Sequence, residues 1–294
     1  MALPTVPTVP SAPTVPPRVG AAAAPPRPGA SAPAAARSRR SDLLTATAVL
    51  GWVPLALVLD AAGLPGLRLA GGASIGLQRA LGVATVVLLV ALLARQDART
   101  RAQVAIVIAF ATAVEYVFSA GLDTYLYRLH GVPGADPVPW FVPPGHGLVY
   151  LGALTLGRAA APRVLAVWRR ATLVTVVVAG IGGLVVPLLA GSRPDALGAF
   201  WALCLAVFLL RGGDPGVYCG AFVVVTLLEL VGTGLGVWTW QAWSPWHLVP
   251  QGNPPSGISG GYCWFDAAAL AGAPLLLRVA RRRTGSPAGL PVGG

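Results

Sequence analysis

The sequence predicts an all-α integral membrane protein of about eight transmembrane helices, arranged as two parallel four-helix repeats behind a disordered N-terminal tail. Three observations predict it: a composition too apolar for a water-facing shell, apolar stretches of bilayer length, and a glutamate-centred pattern that occurs twice. Of 294 residues, 55% are hydrophobic and 11% charged, with a mean hydropathy of +0.70. Globular domains carry roughly 25% charged residues, so an ordinary soluble enzyme is excluded.

Residues 1–41 are rich in Pro, Ala, Thr and Val, with a near-repeat in PTVPTVPSAPTVPP, and end in Arg37, Arg39 and Arg40. Such a stretch has nothing to bury and reads as a disordered cytoplasmic tail. Eight apolar stretches follow, at 43–60, 75–94, 102–122, 145–161, 171–190, 196–211, 217–238 and 257–277. Each is close to the ~20 residues that a bilayer core requires, the fourth and sixth being short. Residues 42–162 are expected to form the first repeat, 163–280 the second, and 281–294 a basic, Gly/Pro-rich cytoplasmic tail.

The charges sort by membrane side. All 21 basic residues besides His are Arg, and with both termini cytoplasmic 17 of them fall inside. The outer pieces hold only Arg68, Arg79, Arg128 and Arg193, against Asp60, Asp123, Asp136 and Asp195. The positive-inside rule predicts such a split for an even helix number in a bacterial plasma membrane. The net charge of +11 is therefore an orientation signal toward anionic inner-leaflet lipid, and no nucleic-acid partner is expected.

The repeat rests on two stretches, Glu115-Tyr-Val-Phe-Ser-Ala-Gly-Leu-Asp-Thr-Tyr-Leu-Tyr127 and Glu229-Leu-Val-Gly-Thr-Gly-Leu-Gly-Val-Trp-Thr-Trp240. In each, a Glu is followed four residues on by a hydroxyl, then by Gly-Leu and two aromatics spaced by two, with short gaps in the alignment. Each leads through a long loop with a Pro pair, Pro143-Pro144 or Pro254-Pro255, into the next helix. Four helices per unit place both copies in the same orientation, so their axis should lie along the membrane normal.

Glu115 and Glu229 are the chain's two glutamates, and both fall inside apolar helices together with Asp266. Acids in hydrocarbon are costly and mark functional sites by default, although an interhelical clamp is the alternative reading. Glu115, Ser119 and Asp123 share one helical face, as do Glu229 and Thr233; His146 and Tyr150 are one turn apart, as are Tyr262 and Asp266. The candidate catalytic acids are thus Glu115, Glu229 and Asp266. Ser119, Asp123, His146, Tyr150, Thr233, Trp238, Trp240 and Tyr262 are the candidate substrate contacts. The loop aromatics suit either an interfacial belt or a lid over an apolar or glycosidic ligand.

Several chemistries are excluded. With no Lys there is neither a Schiff-base residue nor a Walker lysine, and Cys204, Cys219 and Cys263 form no ligand cluster. No spaced metal ligands, nucleotide loop or G-x-S-x-G occurs, so no metal or cofactor is expected.

The stretches ELVGTGLGVWTW and GNPPSGISGGYCWFD resemble uncharacterised multi-pass membrane proteins of actinobacteria. The first also resembles the E-x-x-G-x-x-x-G segments of membrane carotenoid-biosynthesis hydratases, which implies an isoprenoid substrate with Glu229 or Asp266 protonating an alkene. The expected function is a pocket in the outer half of the membrane that binds a lipidic or isoprenoid ligand and modifies it by acid/base chemistry. A proton-coupled transporter using the same acids and a non-catalytic assembly protein are the alternatives.

Overall fold

The computed structural model describes residues 32–62 and 71–283. Eight α-helices run through them: α1 (Ala32–Ala62), α2 (Gly71–Leu93), α3 (Ala98–Glu115), α4 (Val142–Ala159), α5 (Pro162–Leu189), α6 (Ala196–Arg211), α7 (Pro215–Gly234) and α8 (Ser259–Arg283). Helix starts follow local chemistry. Asp97, Asp195 and Asp214 cap α3, α6 and α7 by accepting backbone N–H groups of the first turn, while Pro occupies the first turn of α4, α5 and α7.

Six helices are long and apolar enough to cross a membrane: α1, α2, α3 with its continuation to Gly121, α5, α7 and α8. The exceptions are the two stretches the sequence marks as short. Helix α6 has only 16 residues. Helix α4 is different in kind, because it is enclosed by α1, α2, α3 and α7 and buries every residue from His146 to Thr155. A helix that faces protein on all sides needs no lipid-facing surface and tolerates Pro, His and Tyr. Helix α5 is the opposite case, exposing Val164, Val167, Val174, Val178, Ile181 and Val186.

Close approach of α4 to α7 depends on small residues. A Cβ on Gly220 would meet the backbone of Ala153, and one on Gly157 would meet Gly216. With no hydrophobic drive between helices in lipid, such backbone proximity supplies the packing energy.

Two departures from the sequence reading concern the start of the first helix and the aromatic loops. Residues 32–41, read as tail, are helical turns of α1, while 1–31 and 284–294 lie outside the described residues. The chain also contains strands, β1 (Tyr125–Tyr127) and β2 (Trp238–Trp240), which pair antiparallel as Tyr125 with Trp240, Leu126 with Thr239 and Tyr127 with Trp238. Aromatics at alternate positions suit a two-stranded ribbon, a period that a belt or lid reading of these loops overlooks.

Candidate functional site

The ribbon lies where α3 and α7 end and α4 and α8 begin, and it hangs directly from the two glutamate helices. After Glu115 the α-helix widens into a π-helical turn, Tyr116–Gly121, a feature frequent at functional sites. Ser119 in that turn donates to the Tyr125 carbonyl at 3.1 Å and fixes the start of β1. Asp123, at φ 48°, forms the bend between them. After Glu229, α7 closes at Gly236, whose φ of +68° suits glycine, and β2 follows at once.

Each glutamate is gripped by its own strand. Tyr127 donates its hydroxyl to Glu115 Oε2 at 2.7 Å, and His146 Nε2 lies 2.9 Å from Glu115 Oε1. Trp238 and Trp240 both donate indole N–H groups to Glu229 Oε2, at 3.0 and 3.1 Å, and Tyr262 donates to Oε1 at 3.3 Å. Gly232 makes the second arrangement possible, because the Trp238 ring lies where a side chain at 232 would stand. The two clusters meet where His146 of α4 stacks on Tyr262 of α8, with ring centroids 5.4 Å apart and Phe265 against both.

A cavity of about 580 Å³ opens beside this cluster, within the range of small-molecule sites. Glu115, Glu229, His146, Tyr127, Trp238, Trp240 and Tyr262 line one side. The remaining walls are mostly apolar and include Trp52, Phe141, Trp201 and Phe265. Four more wall residues, Phe110, Phe118, Phe200 and Trp264, are 40–50% exposed.

The expected site residues divide accordingly. Glu115, Glu229, His146, Trp238, Trp240 and Tyr262 are brought together at the cavity. Ser119, Asp123 and Thr233 are not; Thr233 bonds back to the Glu229 carbonyl of its own helix at 2.6 Å. Tyr150 and Asp266 lie one turn deeper along α4 and α8, fully enclosed, each with an oxygen that has no hydrogen-bond partner.

No protein-family model, curated protein or solved structure matches the chain.

Sequence reasoning missed three residues that build the site's frame. Tyr127 is the phenol on Glu115, and the Tyr-Leu-Tyr alternation was its signal. Asp195, besides capping α6, accepts backbone N–H groups from Gly252 at 2.8 Å and from Ser256, so it holds the second ribbon-end loop against α6. Gln251, buried, donates to the Thr124 carbonyl at 2.9 Å and ties that loop to the start of β1. Neither Asp195 nor Gln251 carries a local motif. Of the charges assigned to this side, Arg79 pairs with Asp136 at 3.1 Å and Arg128 with Asp60 at 3.4 Å.

Proposed function

We propose that this multi-pass membrane protein takes a lipidic or isoprenoid ligand into the cavity and acts on it by acid/base chemistry at the Glu115–His146 pair. The observation that carries this reading is the form of the cavity: apolar walls, a hydrogen-bonded carboxylate cluster along one side, and wall aromatics that are half-exposed. Exposed aromatics in the cavity wall suit entry of a ligand directly from the bilayer. His146 and Glu115 are both proton-exchanging groups in hydrogen-bond contact, so a proton given to the ligand from one can be replaced through the other. Glu229 is held by two indole N–H groups that donate only, which suits it to a fixed acceptor.

The Arg distribution supports an outward-facing ribbon end with both termini cytoplasmic in a bacterial plasma membrane. Two parallel repeats are supported by the symmetric ribbon register, by the packing of α4 on α7 and α3 on α8, and by Asp caps on both glutamate helices. The test is lipid and pigment profiling of a deletion strain complemented with wild type or Glu115→Gln. A product that wild type restores and Glu115→Gln does not supports the reading; an unchanged profile removes the enzymatic part.

A second reading, a proton-coupled transporter, is favoured by the unpartnered oxygens of Tyr150 and Asp266 beneath the cavity. It expects pH-dependent uptake, lost in Asp266→Asn, with unchanged lipids. Loss of a co-purifying partner alone would instead point to the assembly role.

A further inference from the structure

The charge of the cavity selects among lipids. Two carboxyl groups, Glu115 and Glu229, border it, and its one basic side chain, His146, is already engaged by Glu115. No Arg lines the cavity among the described residues, and the chain has no Lys. Arg79 and Arg128, on the same side of the bundle, are taken by Asp136 and Asp60. A phosphate or carboxylate head placed here would meet no cation beyond His146, which Glu115 already holds. If the glutamates are ionised it is repelled; if they are neutral it is still desolvated without a counter-charge, and both states disfavour it.

The same cluster is well suited to an uncharged head. Glu229 Oε1 and the Tyr262 hydroxyl form a single long bond of 3.3 Å, and Tyr125 also borders the space. A hydroxyl can donate to one such oxygen and accept from another without altering net charge. The apolar walls then take a hydrocarbon chain.

We infer that the cavity's ligand is a neutral single-chain lipid with a small hydrogen-bonding head, such as an isoprenoid alcohol, and that anionic polyprenyl or alkyl phosphates are excluded. This rests on the lipid-pocket reading and narrows it to one class. It also makes this site a consumer or carrier of lipids after removal of any phosphate, so a dephosphorylating or hydroxyl-generating reaction must supply them.

The test uses the full chain in vesicles of neutral phospholipid, photolysed with diazirine-bearing farnesol or with the same probe as its monophosphate, and labelled peptides are mapped. The expected result is labelling of cavity-wall peptides by the alcohol, at least tenfold above the phosphate, and its loss in Gly145→Leu. Gly145 lines the cavity and has no atom within 4 Å of its Cβ position, so a side chain introduced there starts from open space. Equal or stronger cavity labelling by the phosphate overturns the head-group inference and leaves the lipid pocket standing. Absence of cavity labelling by both probes overturns the lipid pocket itself, and the inference with it.

Discussion

The surroundings of Glu115 and Glu229 occupy corresponding places and differ in one respect that matters. Both carboxyl groups lie at the ribbon end of a helix that an Asp caps at its other end, and each accepts from the strand that follows its own helix, Glu115 from Tyr127 and Glu229 from Trp238 and Trp240. Glu229 is surrounded by two indoles and a phenol, whereas Glu115 touches an imidazole and sits where the helix widens. Indole N–H groups cannot take up a proton, while an imidazole ring nitrogen can. On the proposed reading, Glu229 serves as a fixed acceptor and Glu115 as half of an exchanging pair.

The strongest way to break the Glu229 side is through the glycine beneath it. Gly232→Val should displace the Trp238 ring and strip one donor from Glu229, costing about 4 kcal/mol from overpacking plus a lost buried hydrogen bond. Thermal unfolding in detergent, followed by Trp fluorescence, measures it; a Tm within experimental error of wild type would remove the seating argument.

Next is Glu229→Leu, which leaves three donors without their acceptor and should cost about 3 kcal/mol. Glu229→Gln should cost only about 1 kcal/mol, since its amide oxygen can still accept both indoles while its NH₂ donates to Tyr262. Equal losses for the two variants would mean that charge, and not hydrogen bonding, holds the cluster.

The two Gln variants sharpen the comparison on the side of activity. Glu115→Gln and Glu229→Gln should unfold at similar temperatures, but the first should lower lipid turnover at least ~100-fold and the second less than ~10-fold. Reversal of that order in single-turnover lipid assays would exchange the roles of the two glutamates.

The smallest effect concerns the opposite helix end. The Thr100 N–H bond at 2.7 Å holds the Asp97 carboxyl below the usual aspartate range. A folded value below the unfolded one stabilises the protein above about pH 3.9, and the contribution fades as pH falls through the folded value. Asp97→Ala should cost about 0.5 kcal/mol at pH 7 and less as pH falls through the folded value. A pH-independent difference in Tm would assign the loss to packing.

Much of the cavity's chemistry was visible as residue types, because an acid in an apolar helix stands out against its neighbours and only Glu115, Glu229 and Asp266 did so. Their grouping was less visible. Helical spacing alone put Asp266 beside Tyr262 and therefore with the glutamates, yet one turn of rise is enough to carry it out of the cavity and into a closed layer with Tyr150. Asp195 looked like one more outer charge and proved to be the staple of a loop whose contacts lie some 60 residues away.

By itself the sequence determined the helical class, the apolar stretches and the positions of the acids, because hydropathy and helical period are local quantities that each segment carries alone. Only the tertiary structure decided that α4 is wrapped by protein, that the aromatic loops pair as a ribbon, and which side chains share a cavity. Those outcomes depend on how far one backbone can approach another, at Gly157, Gly220 and Gly232, and such distances exist only once the helices have packed.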